Sequence, residues 1–153
     1  NFYPAVEKGL QDAMAKGVAG FPLVGLSADL YDGSYHDVDS SELAFTLAGS
    51  LATREGIAKA NPVLLEPVMK LEITTPPESV GEVLGDLNSR RGTVLDMSQR
   101  GDMQLVHARV PLAKLFGYAT SIRSLTKGRA SYSMEPDMFD IAPKNVREEI
   151  LSR

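Results

Sequence analysis

Met69-Lys70-Leu71-Glu72-Ile73-Thr74 alternates apolar and polar residues without a break. A period of two puts Met69, Leu71 and Ile73 on one face, the pattern of a strand half buried against a core. Directly after it, Thr75-Pro76-Pro77-Glu78 reads as a helix start, with Thr75 as cap and Glu78 at the third position. Val80, Val83, Leu84 and Leu87 supply the buried face of that helix. Arg90-Arg91-Gly92 ends it, with cations at the negative end of the dipole and glycine past the last turn. Two strands are then predicted over 93–97 and 104–110, and Arg100-Gly101-Asp102 turns between them as a hairpin. Leu112, Leu115, Phe116, Ala119 and Ile122 mark a second amphipathic helix that Gly128 closes. Residues 129–134 alternate again, with Ala130, Tyr132 and Met134 on one side. The order βαββαβ is the ferredoxin-like, split-βαβ plan. A last helix over 143–151 follows, with Val146, Ile150 and Leu151 on one side.

Upstream the signals are of the same kind but weaker. Pro4 suits a first helical position, Val6, Leu10, Ala13 and Met14 follow a 3.6-residue period, and Gly17 is the stop. Residues 23–30 read as a strand and Tyr31-Asp32-Gly33-Ser34 as a turn. Asp39 with Glu42 has capping-box spacing. The helix behind it carries a stripe of Leu43, Leu47 and Leu51 with Ala44 and Ala48, and should run to about residue 59, before Asn61-Pro62. Val63-Leu64-Leu65 reads as a short strand. Glu66-Pro67 is the expected boundary, which divides the chain into a module over 1–66 and a module over 67–153, α+β throughout.

The chain has no cysteine, which excludes disulfides, thiol nucleophiles and Cys-based zinc sites. Its net charge of -4 runs against a general nucleic-acid binder, so any RNA contact has to come from local patches. No apolar run is long enough to span a membrane. Asn1 in place of an initiating Met is expected of a fragment. No Gly-rich phosphate loop is present.

Gly33-Ser34-Tyr35-His36-Asp37-Val38-Asp39-Ser40-Ser41-Glu42 resembles a signature stretch of elongation factor G, the translocase GTPase. Four more stretches resemble the same family, in order and with compatible spacing. Pro4-Ala5-Val6-Glu7-Lys8-Gly9 is similar to the helix after the first tip loop of domain IV. Pro62-Val63-Leu64-Leu65-Glu66-Pro67 is similar to the junction of domains IV and V. Phe116-Gly117-Tyr118-Ala119-Thr120 and Arg123-Ser124-Leu125-Thr126-Lys127-Gly128-Arg129-Ala130 are similar to the second helix and last strand of domain V. The resemblance implies most of a domain IV, with a left-handed βαβ crossover against the usual right-handed rule, then a ferredoxin-like domain V. It assigns GTP and magnesium to a G domain outside this chain, so no catalytic residue and no cofactor are expected here. Family members often carry an apolar or aromatic residue after Met134-Glu135. Pro136 stands there instead, so the strand exit is expected to differ locally.

The resemblance also supplies partners. It places the loop of Gly33, Ser34, Tyr35, His36, Asp37, Val38 and Asp39 in the small-subunit decoding region, beside transfer RNA and messenger. It makes Arg90 and Arg91, and more weakly Lys127 and Arg129, candidates for contact with the stalk base and sarcin-ricin region of the large subunit. A cytoplasmic, monomeric chain with no membrane partner is implied. The chemistry is compatible: imidazole donates, accepts and stacks, and guanidinium is bidentate toward phosphate.

From spacing alone, His36 is a turn residue and Asp39 a cap, and Arg90 and Arg91 are helix-end cations. His36, Asp37 and Asp39 are metal-ligand types, but His107 lies in the other module and no fourth ligand is evident. No nucleophile stands beside a base. Lys70, Glu72, Thr74, His107, Arg109, Arg129, Ser131 and Ser133 should share the polar sheet face, which lacks the aromatic pair of an RNA-recognition motif. The rivals are a paralogous factor, for recycling or tetracycline protection, and a small-ligand-binding ferredoxin-like regulatory domain.

Overall fold

The alternation at 69–74 belongs to a longer strand, β1 (Leu65–Thr75), which is central in a four-stranded antiparallel sheet. The computed structural model describes residues 1–153. Its elements after β1 are α3 (Val80–Ser89), β2 (Thr93–Arg100), β3 (Met103–Pro111), α4 (Tyr118–Thr126), β4 (Ser131–Ile141) and α5 (Lys144–Leu151); α1 (Tyr3–Lys16) and α2 (Glu42–Lys59) precede it. The chain divides into two units, one of Asn1–Val63 with Ile150–Arg153 and one of Leu64–Glu149. Leu65 opens β1, so 63–65 is not a separate strand, and Glu66 and Pro67 lie inside the ladder.

In the second unit the strand order is β2-β3-β1-β4. With α3 and α4 as the crossings, this is the βαββαβ plan read from the pattern. Leu71 and Ile73 meet Val106, Ala108 and Val110 on the core face, and Val83, Leu87, Tyr118 and Ile122 close over them. Tyr118 and Tyr132 pack edge to face at 5.1 Å.

Three local readings need correction. Thr75 does not cap α3: its hydroxyl donates to the Pro76 carbonyl at 3.3 Å, and the helix begins only at Val80, with Ser79 at its N-cap position. A 3-10 turn, Pro77–Ser79, leads into the helix instead. Phe116 is not on the buried face of the second helix. Gly117 sits at φ 70, which breaks the phase between Leu112 and α4, and the buried residues are Tyr118, Ile122 and Thr126. Finally, β4 continues past Pro136 to Ile141. The register jumps from Met69 opposite Pro136 to Val68 opposite Met138, so Asp137 is the extra residue of a bulge. An edge strand tolerates the missing proline N–H.

In the first unit, α1 and α2 meet through small residues. Ala5, Gly9 and Ala13 are the buried positions of α1, and Gly49 and Ile57 those of α2. A Cβ on Gly9 would stand 2.0 Å from the Thr46 carbonyl oxygen, and one on Gly49 2.6 Å from that of Val6. The two backbones are therefore in direct contact. The expected leucine stripe is the open side of α2: Leu43, Leu47 and Leu51 are all more than half exposed. Residues 23–30 form no strand: a bend at Gly25, φ 71, interrupts them, and they pair with no other segment. The left-handed crossover thus has no strand pair in this chain to join.

Candidate functional site

The loop before α2 is built from its own backbone. The His36 carbonyl accepts from the N–H groups of Asp39 (3.2 Å) and Ser40 (2.9 Å), and the His36 N–H donates to Ser40 Oγ at 2.8 Å. Residues 36–40 thus form a closed turn. Ser41, not Asp39, caps α2, its Oγ accepting from the Ala44 N–H at 3.1 Å. Asp39 is already part of the turn and sits too early for the helix that starts at Glu42. Gly33 donates to Asp32 Oδ1 at 2.8 Å on the approach.

A stack of rings ties this loop to the helices. Phe2 lies between Tyr35 (5.9 Å, 20°) and Phe45 (4.5 Å, 14°), joining the start of α1, the loop and the first turn of α2. No sequence pattern pairs these three rings, since the residues are far apart and follow no single period. Ser34, Asp37, Val38 and Asp39 are exposed, and Val38 is almost bare. His36 is exposed, and its ring makes no hydrogen bond or ion pair. The arrangement offers an imidazole with both nitrogens open on a loop whose backbone is fixed. No group of three His or carboxylate side chains is arranged to hold a metal ion.

The four cations of the second unit differ from one another. Arg90 is turned inward. Its guanidinium donates to Asp86 (3.0 Å), to the Lys114 and Phe116 carbonyls (2.7 and 3.1 Å) and to Ser121 Oγ (2.8 Å), and it lies 5.1 Å from the Tyr118 ring centre. Arg91 makes a bidentate pair with Glu66 at 2.9 and 3.0 Å, which raises its pKa further. Arg129 meets Glu78 at 2.6 Å; that carboxyl is held below its usual range, first by a backbone hydrogen bond and then by Arg129. Lys127 takes a left-handed backbone at the end of α4, and its ammonium is exposed and unpaired.

On the polar sheet face Glu72 and His107 stand opposite each other, as do Lys70 and Arg109. A register shift between Val94 and Asp96 brings Asp96 into the same row. His107 Nδ1 lies 2.6 Å from Asp96 Oδ1 and Nε2 lies 3.2 Å from Glu72 Oε2, so one imidazole ring bridges three strands. Its pKa is raised, chiefly by Asp96 and then by Glu72, against a smaller opposing effect of burial. Arg100 also approaches Glu72, at 3.6 Å. A raised folded-state pKa gives stability that is fully present below the unfolded value of about 6.5 and lost as pH rises through the folded value. The urea midpoint of the second unit should therefore fall between pH 6 and pH 8, and His107→Gln should flatten that step. An unchanged step in the variant would show that the bridge contributes nothing.

Residues 1–61 match the family model described as elongation factor G, domain IV, and residues 63–150 match that of the elongation factor G C-terminus. A crystal structure of a protein from Thermus thermophilus superposes with a TM-score of 0.86 at 45% sequence identity, over 99% of this chain and 23% of that one. The two modules, in this order, are those of a translation elongation factor. The chain belongs to the elongation factor G family. It spans less than a quarter of the length of the Thermus chain.

Proposed function

We propose that this chain is a ribosome-contacting part of a cytoplasmic elongation factor G that promotes GTP-dependent movement of transfer RNA and messenger. The observation that carries the reading is the His36 loop: a closed turn, capped into α2 and pinned by the Phe2 stack, that leaves one imidazole unpartnered in water. A pre-set loop loses little conformational freedom on contact, so its few exposed groups act in a fixed geometry. Imidazole suits RNA bases and riboses by hydrogen bonding and stacking. In this reading the second unit meets the large subunit, and GTP with its magnesium belongs to a GTPase domain of a longer protein, since no phosphate-binding loop is present here.

The test is single-round translocation by the full-length factor carrying His36→Ala, with GTP hydrolysis followed in parallel. Translocation should slow about tenfold, equivalent to about 1.4 kcal/mol on the barrier, while hydrolysis keeps its rate. Equal slowing of both would place the defect before movement, and no change in either would remove His36 from the mechanism.

A further inference from the structure

Asp32-Gly33 is the one place in the chain where an Asp or Asn is followed by glycine. Both residues are exposed and belong to no helix or strand. The Gly33 N–H donates to Asp32 Oδ1 at 2.8 Å and makes no other hydrogen bond, so this main-chain nitrogen rests against the carboxyl group of the residue before it. Nothing stands within 4 Å of the place a Gly33 Cβ would take. The nitrogen is therefore free to swing onto the carboxyl carbon, with the reacting groups already in contact and no side chain in the way.

Other Asp residues lack one or more of these conditions. The Ile141 N–H also donates to Asp140 Oδ1 at 2.8 Å, but that nitrogen belongs to a β-branched residue, and the pair lies in β4, where the ladder with β1 fixes the backbone. After Asp39, the Ser40 N–H is held by the His36 carbonyl at 2.9 Å. Asp12 and Asp86 lie inside helices and Asp96 inside β2. At Asp32 an exposed carboxyl, a touching nitrogen and an unhindered glycine coincide.

We propose that Asp32-Gly33 is a self-modifying site at the entry to the His36 loop, which isomerises to isoaspartate and so becomes a substrate for an enzyme that methylates isoaspartyl carboxyl groups. The Gly33 nitrogen forms a bond to Asp32 Cγ. One carboxyl oxygen leaves as water, taking the amide hydrogen and a proton from solvent, and a succinimide ring remains. Water then adds back to either ring carbonyl. Cleavage at Cγ restores Asp, whereas cleavage at the Asp32 main-chain carbonyl routes the chain through the side chain and frees the α-carboxylate. The net change is an isomerisation with no oxidant or reductant. It adds one methylene to the backbone just ahead of Tyr35, whose ring stacks on Phe2, and of the turn that begins at His36. The chemistry is a property of the chain itself and holds whether or not the chain meets a ribosome.

The experiment incubates the 153-residue chain at neutral pH in heavy-oxygen water, folded and in urea, with thermal unfolding as the control for fold. Two readouts are located to the residue by fragmentation after digestion: uptake of heavy oxygen, and methyl transfer from S-adenosylmethionine by isoaspartyl methyltransferase. Both should appear at Asp32 in the folded chain, at a rate no lower than in urea. Asp32→Glu should abolish them, because the longer side chain closes a less favourable ring. Gly33→Ala should slow them about tenfold, equivalent to about 1.4 kcal/mol on the barrier. Neither substitution should lower the unfolding midpoint, since both positions face open solvent. Absence of both readouts at Asp32 in the folded chain would overturn the proposal. So would reaction about tenfold faster in urea, which would mean that the native loop protects the pair. Equal conversion at Asp140 would show that the open glycine has no influence, and would overturn it as well.

Discussion

Replacing Arg90 by alanine is expected to lower the unfolding free energy of the second unit by about 3 kcal/mol. Only 14% of the side chain is exposed, and it makes four hydrogen bonds as well as its contact with the Tyr118 ring. Hydrogen bonds to a charged group contribute about 1.5–3 kcal/mol each, but these share one donor group and do not add. Part of the loss returns when the 114–117 loop opens and water reaches its carbonyls. Arg90→Lys should recover less than half, because a compact ammonium cannot span Asp86, two carbonyls and a hydroxyl at once. The chain has no tryptophan, so urea unfolding can be followed through its tyrosine signal, to which Tyr118 contributes. Burial pushes the Tyr118 phenol well above its ordinary range, against a smaller lowering by Arg90. A midpoint within error of the parent would mean that the Arg90 contacts are bystanders.

The second large effect is expected in the first unit. A methyl group at Gly9 would stand 2.0 Å from the Thr46 carbonyl oxygen, far inside contact distance, and the obstacle is the backbone of α2, which cannot turn aside as a side chain can. Gly9→Ala therefore forces α1 and α2 apart and should destabilise the pair by about 3 kcal/mol, at the upper end of ordinary overpacking. Gly56→Ala is the matched control. It also lies in a helix, but nothing stands within 4 Å of its would-be Cβ. There alanine should stabilise by about 0.5–1 kcal/mol through helix propensity. Amide exchange across α1 and α2 reads both changes, and equal protection in the two variants would refute the close approach.

The contrast between the units explains what could be read from the residues alone. In the second unit, bulky apolar side chains at periods of two and 3.6 mark the faces that are buried, and the strand and helix order follows from them. Where that rule failed, a local cause intervened: the left-handed Gly117 reset the phase and put Phe116 outside, and a 3-10 turn over Pro77–Ser79 moved the start of α3 away from Thr75. In the first unit the contact is made by Ala5, Gly9, Ala13 and Gly49, so a reading that weighs bulk chose Leu43, Leu47 and Leu51 and selected the wrong side of α2. Residues 23–30 read like a strand, but the bend at Gly25 interrupts them and no segment pairs with them. The His36 loop stood out through family resemblance, while its supports did not. The Phe2 stack joins distant positions, and Arg90 binds main-chain carbonyls that carry no side-chain signature. The His107 bridge needs a register shift that no pattern announces.

The closed 36–40 turn and the Ser41 cap leave no slack between the loop and α2. Eighteen helical residues make a rod about 27 Å long, and α1 is seated against it backbone to backbone. Mechanically this is a braced strut. A load applied at His36 would travel down the rod as compression instead of being absorbed by a flexible joint, and displacement at the tip would be matched at the far end of the helix.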